Sequence, residues 1–199
     1  MSKINKLIPI ELLREKLEYR EELEDGVLKG NLYWKKSKQY NGKKAGWLDN
    51  RGYLRTNVYY KNKKTYISNH IAIFCIVEGK YPDEYLDHID GNKTNNLIKN
   101  LRNANAYQNM LNKPPAKNKL SQYKGVSYDK SWGGKWIVSS RLNGKIVYSA
   151  NFVDEIDAAL AYNTAVKKYH DTEFAYMNDI SNGYTNKEYP NKPRGWKPE

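Results

Sequence analysis

Asp87-His88-Ile89-Asp90-Gly91-Asn92, continued by Asn96, Asn100-Leu101-Arg102 and Gln108-Asn109, is the stretch on which the reading of this chain turns. It sets a carboxylate beside an imidazole, with carboxamides following at spacings suited to phosphodiester hydrolysis. A neutral imidazole can take a proton from water near neutral pH, and an adjacent carboxylate can hold a hard divalent cation against a phosphate oxygen. Asp90-Gly91-Asn92 is a turn signal, because Gly accepts positive φ while Asp and Asn bond their own backbone. Beyond it, Leu97, Ile98 and Leu101 supply apolar contacts for a hairpin. Ala104, Ala106, Tyr107, Met110 and Leu111 read as a short helix that carries Asn109. An Asp-His pair by itself is better explained as a polar hairpin with a satisfied surface histidine. The whole ladder of positions reverses that preference.

The same spacing resembles the HNH endonuclease family, and within it the phage and intron-encoded homing branch. That resemblance implies a two-stranded hairpin followed by a helix, the ββα-metal motif, with the ion held between them. It implies Asp87 and Asn109 as metal ligands, His88 as the general base, and Asn100 as the residue that orients the base. Many family members have His where this chain has Asn109. An Asp oxygen and an Asn carbonyl oxygen suit one divalent ion such as Mg²⁺ (or Mn²⁺) better than softer ions. Asp90, Asn92, Asn95 and Asn96 read as turn and capping residues, His70 as a packed histidine bonding the backbone, with a phosphate or DNA contact as the alternative, and His170 as structural.

Composition points the same way. The 199 residues carry 34 Lys and Arg against 22 Asp and Glu, a net +12 that calls for a polyanionic partner or an acidic membrane surface. The charge is uneven: residues 28–80 hold 12 basic and 2 acidic side chains, whereas 81–110 hold 3 and 4. A strong positive field therefore abuts a locally acidic, metal-competent segment. No segment is long and apolar enough to span a bilayer, and the first residues lack the apolar core of a secretory signal. The expectation is a cytoplasmic protein, in the host cell if phage-encoded, with double-stranded DNA as partner and no protein partner evident. The single Cys75 excludes a Cys-cluster zinc site and reads as a small buried hydrophobe.

Along the chain, Glu11 to Tyr19 has helical spacing, so 1–27 reads as a helical segment. Aromatic and β-branched runs between 27 and 67, split by turn residues, suggest antiparallel hairpins. His70 to Val77 reads as a short helix that stops at Glu78-Gly79-Lys80. The nuclease part is assigned to 28–112 and a basic, proline-containing linker to 113–121, ahead of a second unit at 122–178 and an extended tail at 179–199.

In that second unit, Tyr123-Lys124-Gly125-Val126, Trp132-Gly133-Gly134-Lys135-Trp136, Phe152 and Ala158-Ala159-Leu160-Ala161-Tyr162-Asn163 resemble the AP2 DNA-binding domain. The residues support three short strands independently. Asn143-Gly144 is a type I′ hairpin signal, and an Ala-rich helix begins after Asp154 or Glu155. By the resemblance, Lys124, Tyr128, Lys130, Trp132, Lys135, Arg141 and Tyr148 are the candidate DNA contacts. Alternation along a strand puts Ser139 and Arg141 on one face and Val138 on the other. For the Trp residues, core packing competes with DNA contact.

The expected fold is α+β: a β-hairpin-rich N-terminal region with a ββα-metal nuclease motif, then an AP2-like three-stranded antiparallel sheet with one helix. The expected function is metal-dependent DNA cleavage with site preference. A non-catalytic sequence-specific DNA-binding regulator is the rival, and an RNA-binding protein is a third reading not excluded by charge.

Overall fold

The computed structural model describes residues 8–35, 39–116, 119–131 and 133–180, which form two compact units divided between Asn109 and Met110. The architecture is mixed α+β, with small antiparallel sheets and few helices. Trp132 and the tail from residue 181 onward lie outside the described residues.

The first unit starts with helix α1 (Ile10–Lys16), which runs directly into strand β1 (Leu17–Glu24). Strand β2 (Val27–Trp34) pairs antiparallel with β1, from Glu24↔Val27 to Leu17↔Trp34. This corrects the helical reading of 1–27: the helix stops at Lys16, and the expected boundary at residue 27 falls inside a hairpin. The cause is local. Asp25 and Gly26 both take positive φ, 51° and 76°, the geometry of a type I′ turn whose twist matches that of paired strands. Side chains of β2 then engage the carboxylates of β1. Asn31 donates to Glu24 at 2.6 Å, and the Tyr33 hydroxyl donates to Glu22. Glutamates of good helix propensity are held in a strand by partners that propensity does not see.

Strands β3 (Trp47–Leu48), β4 (Leu54–Tyr60) and β5 (Lys63–Ser68) form an antiparallel sheet in that order. Thr56, Val58 and Ile67 turn inward and are buried. Helix α2 (Asn69–Glu78) follows β5 without a loop and ends at Gly79, whose φ of 70° closes it as expected. Its Ala72, Ile73, Phe74 and Cys75 join Leu13, Leu17, Leu32, Val58, Ile67, Leu86 and Leu101 in one core. Cys75 is a fully buried hydrophobe, as its context suggested.

Strand β6 (Tyr85–His88) pairs with β7 (Leu101–Ala104), the 3₁₀ turn Ile98–Asn100 leads into β7, and helix α3 (Ala106–Leu111) comes next. The β1–β2 hairpin buttresses the loop between β6 and β7. The Tyr19 hydroxyl accepts from the Ile98 amide at 3.0 Å and donates to Glu21 at 2.6 Å. Gly30 lies so close that a Cβ there would sit 2.4 Å from the Asn96 carbonyl oxygen.

The second unit contains β8 (Val126–Asp129), β9 (Lys135–Leu142) and β10 (Lys145–Phe152), ordered β10-β9-β8, with helix α4 (Glu155–Tyr169) packed on the sheet. Asn143 and Gly144 take φ of 50° and 79°, and the β9–β10 turn is the I′ type anticipated. Asp154 caps α4 by accepting from the Ile156 and Asp157 amides. Ala158, Ala159, Ala161 and Ala165 are buried, and their small side chains let the helix lie close to Val126, Val138, Ala150 and Phe152. Asn178 closes the unit. Its Oδ1 accepts from Lys124 N at 2.7 Å, its Nδ2 donates to Lys124 O at 3.0 Å, and its backbone meets the Asn163 carboxamide twice.

Because Gly30 faces backbone rather than a pliant side chain, Gly30→Ala is expected to destabilise the first unit by about 1–3 kcal/mol through overpacking. Urea denaturation measures this. A change below about 0.5 kcal/mol would mean that the hairpin can back away from the loop without cost.

Candidate active site and nucleic-acid interface

Asp87 and His88 end β6 with their side chains buried, 6% and 4% exposed. The register places Arg102 opposite Asp87, and the guanidinium donates from Nε at 3.1 Å and Nη2 at 2.9 Å to the same oxygen, Oδ2. The guanidinium holds the carboxylate in one orientation and offsets its charge. Sequence reading quoted Arg102 without giving it a role. The cross-strand register is the signal that finds it.

The imidazole of His88 meets Asn96: Nε2 lies 3.1 Å from the Asn96 carboxamide oxygen. Since that oxygen only accepts, Nε2 carries the proton, and the lone pair able to take one from water is at Nδ1. Asn96 is 1% exposed. Sequence reading had left it among the turn residues and had assigned the orienting role to Asn100. The structure places the Asn100 carboxamide elsewhere. Its Nδ2 donates to Asp90 Oδ1 at 2.9 Å and to the Asn95 carbonyl at 2.8 Å, while its Oδ1 accepts from the Asp90 amide at 3.1 Å. Asn100 thus fixes the shape of the loop that delivers Asn96 to the ring. Asp90 and Asn92 do make the turn: the Asn92 amide donates to Asp90 Oδ1 at 2.8 Å, and the Thr94 amide to Asn92 Oδ1 at 3.1 Å. Asn109 lies on α3, 8% exposed, with its amide bonded to the Asn105 carbonyl at 3.0 Å.

His70, the second residue of α2, packs its ring edge-on against His88 with centroids 5.0 Å apart. The Tyr53 ring touches both, at 5.3 Å from His70 and 6.0 Å from His88. Burial and the neighbouring His88 push the His70 pKa down to about 3. Burial also lowers that of His88, against the pull of Asn96, Asp90 and Asp87. Both rings are therefore neutral at physiological pH, which is the state in which His88 can act as a base. His70 Nδ1 is buried with no partner among the described residues.

Among the described residues no group of three or more His, Cys, Asp and Glu side chains gathers for a metal. The expected donors are of another kind, one carboxylate and one carboxamide. Both are hard oxygen donors, and by that chemistry they fit Mg²⁺ or Mn²⁺.

In the second unit, strand alternation sorts the candidate DNA contacts. Trp136, Val138 and Ser140 of β9 face α4, and the register aligns them with Tyr128 and Val126 on one side and Phe152, Ala150 and Tyr148 on the other. Tyr128 and Tyr148 thus lie on the helix side of the sheet, with Tyr128 still 38% exposed. Tyr128 packs on Trp136 with centroids 4.9 Å apart, and Tyr148 lies against the core. This corrects the placement of both tyrosines on the DNA-facing side, and it follows from the two-residue period once Val138 is inward. Lys124 is also differently engaged. Its ammonium donates to the Leu111 carbonyl, and burial pushes its pKa down to about 8. The uncovered face carries Lys135, Ser139 and Arg141 on β9 with Ser127 on β8, and Lys130 follows that strand. His170 bonds Ser140 at 2.6 Å from the covered side, in keeping with a structural role.

The site is a buried Asp-His pair at the end of a hairpin, followed by a short helix with a buried Asn. Residues 69–111 match the family model described as HNH endonuclease. The chain is 41% identical over 106 residues to a protein of Acanthamoeba polyphaga mimivirus described as an uncharacterized HNH endonuclease, covering 53% of each chain. It is 30% identical over 104 residues to a second mimivirus protein so described, covering 52% of this chain and 31% of that one. A protein of Escherichia phage T7 designated Protein 3.8 is 38% identical over 69 residues, 33% of this chain and 57% of that one. The chain thus spans about half the length, or less, of the curated relatives it matches. No solved structure matches it. No helix among the described residues is long and apolar enough to cross a membrane.

A histidine whose folded pKa lies below 6.5 binds fewer protons folded than unfolded. Stability is therefore complete above pH 6.5 and falls as the pH drops below it. With His70 at about 3, the loss is expected at about 1.4 kcal/mol per pH unit for that residue. Urea midpoints between pH 7 and 4.5 should fall less steeply for His70→Gln than for the unaltered chain. Parallel slopes would show that His70 takes up its proton without unfolding.

Proposed function

We propose that this chain is a metal-dependent HNH DNA endonuclease of the homing type that hydrolyses phosphodiester bonds, directed to its sites by an AP2-like second unit. The observation that carries the proposal is the buried Asp87-His88 pair, with the imidazole held neutral and hydrogen-bonded through Nε2 to Asn96. The matched family segment and the viral relatives described as HNH endonucleases support the reading.

In the proposed mechanism, Asp87 and Asn109 would hold one divalent ion, which would supply Lewis-acid stabilisation of charge developing on the phosphate and the leaving 3′ oxygen. His88 Nδ1 takes the proton of the attacking water, and Asn96 fixes the ring so that this nitrogen faces the phosphate. Asn100 acts one step removed by shaping the loop, and Arg102 keeps the Asp87 carboxylate from rotating. The products are a 5′ phosphate and a 3′ hydroxyl. The partner is double-stranded DNA, and the acidic site within a basic unit fits it.

Support for the AP2-like reading of 122–178 is the three-stranded sheet backed by one helix, with a face bearing Lys135, Ser139 and Arg141 left uncovered. In this reading Lys130, Lys135 and Arg141 contact DNA. Lys124, Tyr128 and Tyr148 support the sheet instead.

Incubation of supercoiled plasmid with Mg²⁺, Mn²⁺ or EDTA tests the activity. Cleavage should require the ion, and His88→Ala should abolish it while DNA affinity stays within a few-fold. Wild-type turnover by that variant would remove His88 from the chemistry. Division of labour is tested by removing residues 117–199. The shortened chain should still nick DNA but with little site preference, because phosphate contacts position and base contacts specify. Cleavage mapping on random DNA decides the point: full preference in the shortened chain would place specificity in the first unit.

A further inference from the structure

The outer face of the β3–β4–β5 sheet plays no part in the mechanism above. Alternation and register put Trp47, Arg55, Asn57, Tyr59, Lys64 and Tyr66 on it together, with Thr56, Val58 and Ile67 turned the other way into the core. Three aromatic rings stand open there: Trp47 is 43% exposed, Tyr66 50% and Tyr59 70%. They are ordered by one another and by cations. Trp47 meets Tyr66 edge to face at 5.9 Å, the Arg55 guanidinium lies 5.9 Å from the Tyr66 ring centre, and Lys64 Nζ lies 5.8 Å from it. The three strands hold no acidic residue, and Arg55 and Lys64 are in no ion pair among the described residues. Lys61 and Lys63 add charge at the β4–β5 turn.

Exposed rings interleaved with unpaired cations favour a partner that offers flat apolar faces and negative charge together. A duplex keeps its base faces inside the stack, so rings of this kind meet them only on an unpaired strand. Position along the chain adds to this. Arg55, the second residue of β4, follows two positions after Tyr53, whose ring packs on His88 and lies 4.8 Å from Lys93 Nζ. The platform therefore continues, along one strand, into the ring cluster of the nuclease site.

We infer that this sheet face binds unpaired DNA, with bases stacked on Trp47, Tyr66 and Tyr59 and phosphates neutralised by Arg55 and Lys64. The strand would come from melted or nicked DNA at the cleavage site. In this respect the inference rests on the endonuclease reading.

The test uses the full chain with EDTA and measures fluorescence anisotropy with two labelled 12-mers, one of thymidines and one of abasic sites. Their ratio isolates stacking from charge, since both carry the same phosphates. The unaltered chain should prefer the thymidine strand by about tenfold, a fold-change within the range of one or two stacked bases. Trp47→Ala/Tyr66→Ala should lose that preference while keeping its affinity for the abasic strand, and Trp47→Phe/Tyr66→Phe should retain it. If the alanine pair does not fold, Tyr59→Ala should lower the preference about threefold or more, because that side chain is mostly in solvent. No preference in the unaltered chain, or an unchanged ratio in the folded alanine variants, overturns the inference. Metal-dependent nicking of duplex plasmid by the same variants tests the endonuclease reading separately: nicking with a lost ratio supports the platform, and nicking with an intact ratio rejects the platform alone.

Discussion

Closure of the loop between β6 and β7 by Asn100 is the constraint on which the site depends. One carboxamide bonds the side chain and the amide of Asp90 and the carbonyl of Asn95, fastening both arms of the loop to the start of β7. The loop in that shape brings Asn96 to His88, and the β6–β7 register puts Arg102 opposite Asp87. Asp87, His88, Asn96 and Asn100 are buried, and for such groups an unmade hydrogen bond costs about 1–3 kcal/mol. The network is therefore satisfied as a unit or lost as one.

Burial also sets the chemistry. Two imidazoles in contact, both shielded from water, cannot both be charged, and here neither is: His70 sits at about 3 and His88 below its ordinary value. A neutral His88 stands next to Asp87 on the strand, and the Tyr53 and His70 rings pack against it. A packed apolar environment and a base-competent imidazole are two consequences of the same contacts.

The second unit follows a simpler rule. Small residues on α4 allow a close approach, and at Gly125 a Cβ would fall 2.0 Å from the Tyr162 ring, so glycine is required there. The helix covers one face of the sheet and leaves the other open. The helix side carries Tyr148 against the core and Tyr128, which stays 38% exposed, and the open side carries Lys135 and Arg141.

Much of the site was legible in the sequence because local rules wrote it: the Asp90-Gly91-Asn92 turn, the Gly79 stop after α2, the Asn143-Gly144 hairpin and the Asp154 cap each depend on residues a few positions apart. The Asp87-His88 pair needed only chain adjacency. Other features were decided by the tertiary structure. The strand at Leu17–Glu24 prevailed over helix propensity because Asn31 and Tyr33 pair with its glutamates. Asn96 rather than Asn100 meets the imidazole because loop closure, not spacing, decides which of two nearby carboxamides faces a ring. Lys124 turned to a backbone carbonyl, Tyr148 turned to the core and Tyr128 to the Trp136 ring, because the face a strand residue occupies is fixed by what packs on the sheet. A sequence states the two-residue alternation but not which side is covered.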